Sequence, residues 1–266
     1  MNIHRTRAIL LGFLTLLAIG SFAASAAAEA GPFWSHRPTG GKSGTKIEEK
    51  AQDEVAGSGG EQRLNGTIGK EPVEIVSTQV QIKGHIWNNA RQGQAKLEIR
   101  YVEPRLAKPA LSNCTVKVGQ NNIFNVQFHL AWKWNGTEAQ LLEQPQANQV
   151  VDGILYPLEV QPGEIPKETA EFTSVTLSGS GCGVLAGTFK AVGYIATALE
   201  KTTLGEFNTS IGFKVENGSL LQQHIWAGSS FLGLTTVLKF ANNNATYNGA
   251  AKVGDTSQQE VAVTEK

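Results

Sequence analysis

The sequence predicts an all-β domain, an antiparallel two-sheet sandwich or a flattened barrel, and three observations carry that prediction. Apolar side chains recur at every second position through several segments, Asn-Gly dipeptides punctuate the intervals, and sustained helical periodicity is nearly absent. Strict alternation sets one face of a strand on a core and the other in water, the pattern of antiparallel rather than buried parallel sheet.

The chain opens with the parts of an export signal. MNIHRTR carries Arg5 and Arg7 and no acid, an apolar run spans Ala8 to Phe22, and AASAAAEA offers A-x-A frames ending at Ala26, Ala28 or Ala30. Together they predict a cleavable secretory signal peptide over residues 1–28 and a secreted, extracellular protein. The apolar core is shorter than the ~20 residues a membrane span needs. Residues 29–62 are rich in Gly, Ser, Pro and charge and read as a disordered leader, with Phe33 and Trp34 an isolated aromatic pair inside it. The β domain is expected over 63–253, and 254–266 reads as a polar tail in which Val261, Ala262 and Val263 offer a last strand.

Within the domain the alternation is explicit. Val76, Thr78, Val80, Ile82, Gly84 and Ile86 share one face, as do Ala95, Leu97, Ile99 and Tyr101. Over 124–134, Phe124, Val126, Phe128, Leu130, Trp132 and Trp134 alternate with polar neighbours, and Phe207 to Val215 repeats the pattern. Asn65-Gly66, Asn135-Gly136, Asn217-Gly218 and Asn248-Gly249 are suited to hairpin turns. Residues 137–143, TEAQLLE, could make two helical turns. The Gly-dense run from Gly179 to Gly187 suggests a bulge or a close approach of backbones.

Cys114 and Cys182 are the only cysteines. In an oxidising compartment such a pair is expected to form a disulfide. Closing so long a loop stabilises the fold by roughly 4 kcal/mol in the chain-entropy model.

Lys and Arg total 23, and Asp and Glu also total 23. A neutral balance without a basic run argues against nucleic acid, or a membrane surface after signal cleavage, as the partner. His36, His85, His129 and His224 show no ligand-pair spacing, so neither a metal nor another cofactor is expected. No nucleophile-elbow motif occurs. Asp53, Asp152 and Asp255 are the only aspartates, which weighs against triads, dyads and calcium loops. Glu98, Glu171 and Glu206 alternate with apolar residues as outward charges would.

Aromatic residues carry what functional colour there is. Trp132 and Trp134 sit two apart on one strand face, and a flat indole packs well on a pyranose ring. Both also extend the apolar face that begins at Phe124, so core packing competes and is favoured for Trp132. Trp134, beside Asn135 and its turn, is the candidate ligand-binding position, and Trp226 is a second. The expected partner is a saccharide or another cell-surface component.

The segments GCGVLAGTFKAVG (181–193), LAWKWNG (130–136) and QHIWAG with TTVLKFANNNATYNG (223–249) resemble those of uncharacterised secreted proteins of high-GC Gram-positive bacteria. The likeness covers most of the chain after the signal. It implies a compartment and brings no activity or functional residue with it.

Three functional classes follow. The first is a secreted, non-catalytic β domain, structural or ligand-binding. The second is a secreted polysaccharide hydrolase that uses a Glu pair. The third is a barrel-type carrier of a small apolar ligand, its interior lined by Phe128, Leu130 and Trp132. The first is favoured, because no catalytic signature is present.

Overall fold

The computed structural model describes residues 32–48, 51–89, 92–134, 149–157, 169–200, 204–215, 222–227, 230–235 and 238–264. The export signal, the 137–143 segment, and the Asn135-Gly136 and Asn217-Gly218 dipeptides fall outside them. The strands in chain order begin with β1 (Phe33–Pro38), β2 (Thr45–Lys46), β3 (Asp53–Gly59), β4 (Gln62–Ile68), β5 (Glu71–Ser77), β6 (Gln79–Asn88) and β7 (Gly93–Val102). They continue with β8 (Arg105–Lys108), β9 (Thr115–Val118), β10 (Ile123–Trp134), β11 (Gln149–Pro157), β12 (Glu171–Ser178), β13 (Gly187–Gly193) and β14 (Ile195–Glu200). The last are β15 (Ile211–Val215), β16 (Gln222–Ala227), β17 (Ser230–Thr235), β18 (Leu238–Phe240), β19 (Asn243–Asn244), β20 (Thr246–Asp255) and β21 (Gln259–Thr264).

All-β architecture is therefore observed, and the sheets are antiparallel and sandwich-like. A 13-stranded strip runs β15-β14-β11-β10-β7-β6-β3-β20-β4-β5-β8, with the β16–β17 hairpin attached to β10. β15 also pairs with β20, so the strip folds back on itself. Phe128 of β10 meets Phe213 of β15 edge to face at 5.2 Å, although two strands separate them in the strip. A five-stranded sheet, β19-β18-β13-β12-β9, packs beside the strip through Val116, Val175, Leu177 and Phe240. A small sheet, β2-β1-β21, completes the fold.

The predicted register holds where it was clearest. Val126, Phe128 and Leu130 are buried on β10, with Gln127 half-buried between the first two and Asn125 exposed before them. Ile211 is buried, while Phe124 and Phe213 are half-buried. The 76–86 segment is two strands rather than one. The Ser77 hydroxyl donates towards the carbonyls of Gln79 and Val102, at 2.8 and 2.7 Å, and the ladder breaks at Thr78.

The leader assigned to 29–62 is ordered over its described part. Trp34 is only 1% exposed, and β1 pairs with β21 from Phe33 opposite Thr264 to Pro38 opposite Gln259. The glycines that suggested disorder serve close strand approach. A Cβ on Gly57 would lie 1.8 Å from the carbonyl oxygen of Lys252 on the paired β20. The tail at 254–266 is likewise mostly strand, with Val261, Ala262 and Val263 buried. The folded domain thus reaches from the β1 strand to the β21 strand, beyond 63–253 at both ends.

Two Asn-Gly expectations are corrected as well. Asn65-Gly66 lies inside β4 and Asn248-Gly249 inside β20. The β4–β5 hairpin turns instead at Gly69-Lys70, where Gly69 takes a φ of 63°.

Candidate functional site

Trp134, the sequence candidate, is the last residue of β10, opposite Gln149 of β11 and His224 of β16. Asn135 lies outside the described residues. β7 pairs with β10 only from Ile123 to His129, and β16 takes its place beside Trp132 to Trp134. Trp132 is in register with Trp226 of β16, and Trp226 with Phe231 of β17. Directly opposed residues of an antiparallel pair occupy one face, and neighbouring strands lie ~4.7–4.9 Å apart. Trp132, Trp226 and Phe231 therefore stand in register across three neighbouring strands. The pairing of β10 with a strand about ninety residues later could not be read from period-two alternation.

Several titratable groups singled out in the sequence lie elsewhere in the fold. Glu98 pairs with Lys83 at 3.1 Å on the strip, and Glu171 with Lys190 at 2.7 Å on the five-stranded sheet. Glu206 is exposed. His36 contacts Asp53 at 2.5 Å, tying β1 to β3. His85 is half-buried, and its Nδ1 is buried without a hydrogen-bond partner. Among the described residues no group of three or more His, Cys, Asp or Glu could hold a metal ion. A further cluster escaped sequence reading: the carboxylate of Glu74 accepts from Arg63 at 2.6 Å and lies 3.5 Å from Lys108. The Arg63 hydrogen bond holds its carboxyl below the usual range, against the opposing effect of burial.

Cys114 and Cys182 form the expected disulfide, with Cα atoms 4.7 Å apart. It joins the start of β9 to the turn between β12 and β13. The Gly-dense run makes the approach possible, since a Cβ on Gly181 would sit 1.6 Å from the Ser112 carbonyl oxygen.

The carrier interior expected around Phe128 and Leu130 is filled. Both are wholly buried, and Phe128 packs against Trp34 as well as Phe213. A cavity of about 90 Å³ lies instead between the strip and the five-stranded sheet. Leu64, Ile75, Ile99, Phe124, Phe172 and Val175 supply much of its apolar wall, and Tyr101, Tyr247 and Gln62 its polar end. The two tyrosine hydroxyls lie 2.8 Å apart, and that of Tyr247 donates to Gln62 Oε1 at 2.8 Å. Tyr101 stacks on Phe124 with ring centroids 5.5 Å apart. Burial pushes the Tyr101 hydroxyl up to about 12 and that of Tyr247 well above the ordinary tyrosine value, so both remain neutral hydroxyls near pH 7.

The sequence matches no protein-family model, and comparisons with curated proteins and with solved structures find no significant relative.

Proposed function

We propose that the chain is an exported, non-catalytic β domain that binds saccharide through Trp132, Trp134 and Trp226. The observation that carries the reading is the register of Trp132 with Trp226 and of Trp134 with His224 on adjacent strands. Three aromatic positions in register across ~9.5 Å of sheet, Trp132, Trp226 and Phe231, match the scale of a short glycan, whose apolar ring faces stack on aromatic surfaces. His224 and Gln149, flanking Trp134, are residue types that hydrogen-bond sugar hydroxyls.

Export is supported by the three-part N-terminal signal and by the disulfide, which suits an oxidising compartment. No helix among the described residues is long and apolar enough to cross a membrane. A disulfide and that observation are compatible with an extracellular protein.

Co-sedimentation of the purified protein with insoluble polysaccharide tests the reading. Trp134→Ala should lower affinity roughly tenfold with little change in thermal stability. Undiminished retention, or a stability loss of the ~3–5 kcal/mol typical of core aromatics, would remove Trp134 from the site. Glycan hydrolysis abolished by replacing one Glu would replace the reading with an enzymatic one.

A further inference from the structure

We infer that the cavity between the strip and the five-stranded sheet is a binding site for a small apolar molecule carrying one hydrogen-bond donor, of which a short-chain alcohol is the simplest case. The inference goes beyond saccharide recognition and rests on other strands.

The specificity follows from proton accounting at the polar end. Gln62 Nε2 lies 3.0 Å from the carbonyl oxygens of both Gly60 and Ala250. Carbonyls only accept, so both amide protons are committed and the amide orientation is fixed. Gln62 Oε1 must then be an acceptor, and Tyr247 spends its single proton on it. Tyr101 in turn donates its proton to the Tyr247 oxygen. The chain of donors therefore ends at the Tyr101 oxygen, which is left with lone pairs and no proton to offer.

The remaining polar lining atoms agree. The Ser77 hydroxyl is directed at the carbonyls of Gln79 and Val102, and Thr173 Oγ1 donates weakly to the Ser174 carbonyl at 3.4 Å. Among the described residues no charged one lines the cavity. A ligand hydroxyl can donate to Tyr101, whereas a carboxylate would find neither a free proton nor a counter-charge and would lose its hydration. The size agrees too. At about 90 Å³ the cavity exceeds the volume one water needs and falls below the ~150 Å³ of an apolar cavity that admits benzene. A linear molecule of a few carbons suits that range.

The test is a methyl NMR titration of the full chain with 1-butanol, and with butyrate as its acceptor-only counterpart. Saturable shifts confined to Leu64, Ile75 and Val175 are expected with butanol and none with butyrate. Tyr101→Phe keeps the ring and the room but removes the acceptor, and should weaken butanol binding about fivefold, the worth of one hydrogen bond. Ala191→Leu fills the cavity and should abolish the shifts with the tyrosines intact. Shifts that never saturate or spread evenly, equal binding of butyrate, or unchanged affinity in either variant would overturn the inference.

Discussion

The indole N–H of Trp34 donates to the backbone carbonyl of Gln94 at 3.0 Å, joining the first strand of the fold to the middle of the strip. Asn88 completes the joint. Its Oδ1 accepts from the Trp34 backbone N–H at 2.7 Å, and its Nδ2 donates to the carbonyls of Trp34 and Ile47 at 2.8 and 2.7 Å. A segment of leader-like composition is thereby fastened through one large side chain and its main-chain partners. Trp34 also packs against Phe128 of β10.

Trp34→Ala is therefore expected to cost about 3–5 kcal/mol, the range for core aromatics. Asn88→Leu should cost at least ~2 kcal/mol, because buried backbone groups of Trp34 and Ile47 would be left unpaired. Urea unfolding of both variants checks these values. Wild-type stability in either would show that β1 is dispensable.

The Arg63–Glu74 pair predicts an acid-sensitive component of stability. The Glu74 carboxyl is lowered in the folded state, so the unfolded chain binds a proton at higher pH than the folded one does. Its contribution is fully present above the unfolded value of ~4.3 and is lost as pH falls through the depressed folded value. Unfolding followed between pH 7 and 2.5 should show a flatter acid limb in Glu74→Gln than in the wild type. Superimposable acid limbs would contradict the assignment.

Reduction of Cys114–Cys182 should lower stability by about 2–4 kcal/mol. In the exported protein, intact mass should place the first residue between Ala27 and Gly31 and rise by two hydrogens on reduction. A retained signal peptide would argue against export, and free thiols before reduction would argue against the bridge. Gly181→Ala should impair formation of the same bond, since its Cβ would collide with the Ser112 carbonyl; thiol labelling after oxidative refolding measures this.

How much was legible in the sequence depends on how local the signal is. Alternation along β10 is carried by consecutive residues, and it located Val126, Phe128 and Leu130 in the core. Order at β1 and β3 was not legible, because it comes from a buried Trp34 and from Gly57 passing a strand nearly two hundred residues later. Composition cannot separate a glycine that loosens a chain from one that lets two backbones meet. The same holds for Asn65-Gly66, whose turn chemistry yields to the ladder between β4 and β5. At the candidate site, Trp134 and Trp226 could be noticed singly, but their place on adjacent strands is a non-local fact. The Tyr101–Tyr247–Gln62 chain likewise joins β7, β20 and β4, which only the tertiary fold brings together.

Indole NMR tests the central claim most directly. The chain has 5 tryptophans: Trp34, Trp87, Trp132, Trp134 and Trp226, each with one indole N–H resonance. Titration with soluble chito-, cello- and xylo-oligosaccharides should produce saturable shifts in the Trp132, Trp134 and Trp226 resonances with at least one series, leaving Trp34 and Trp87 in place. Indoles that stay unmoved with every series at millimolar sugar, or movement of Trp34 and Trp87 instead, would contradict a saccharide site at the end of β10.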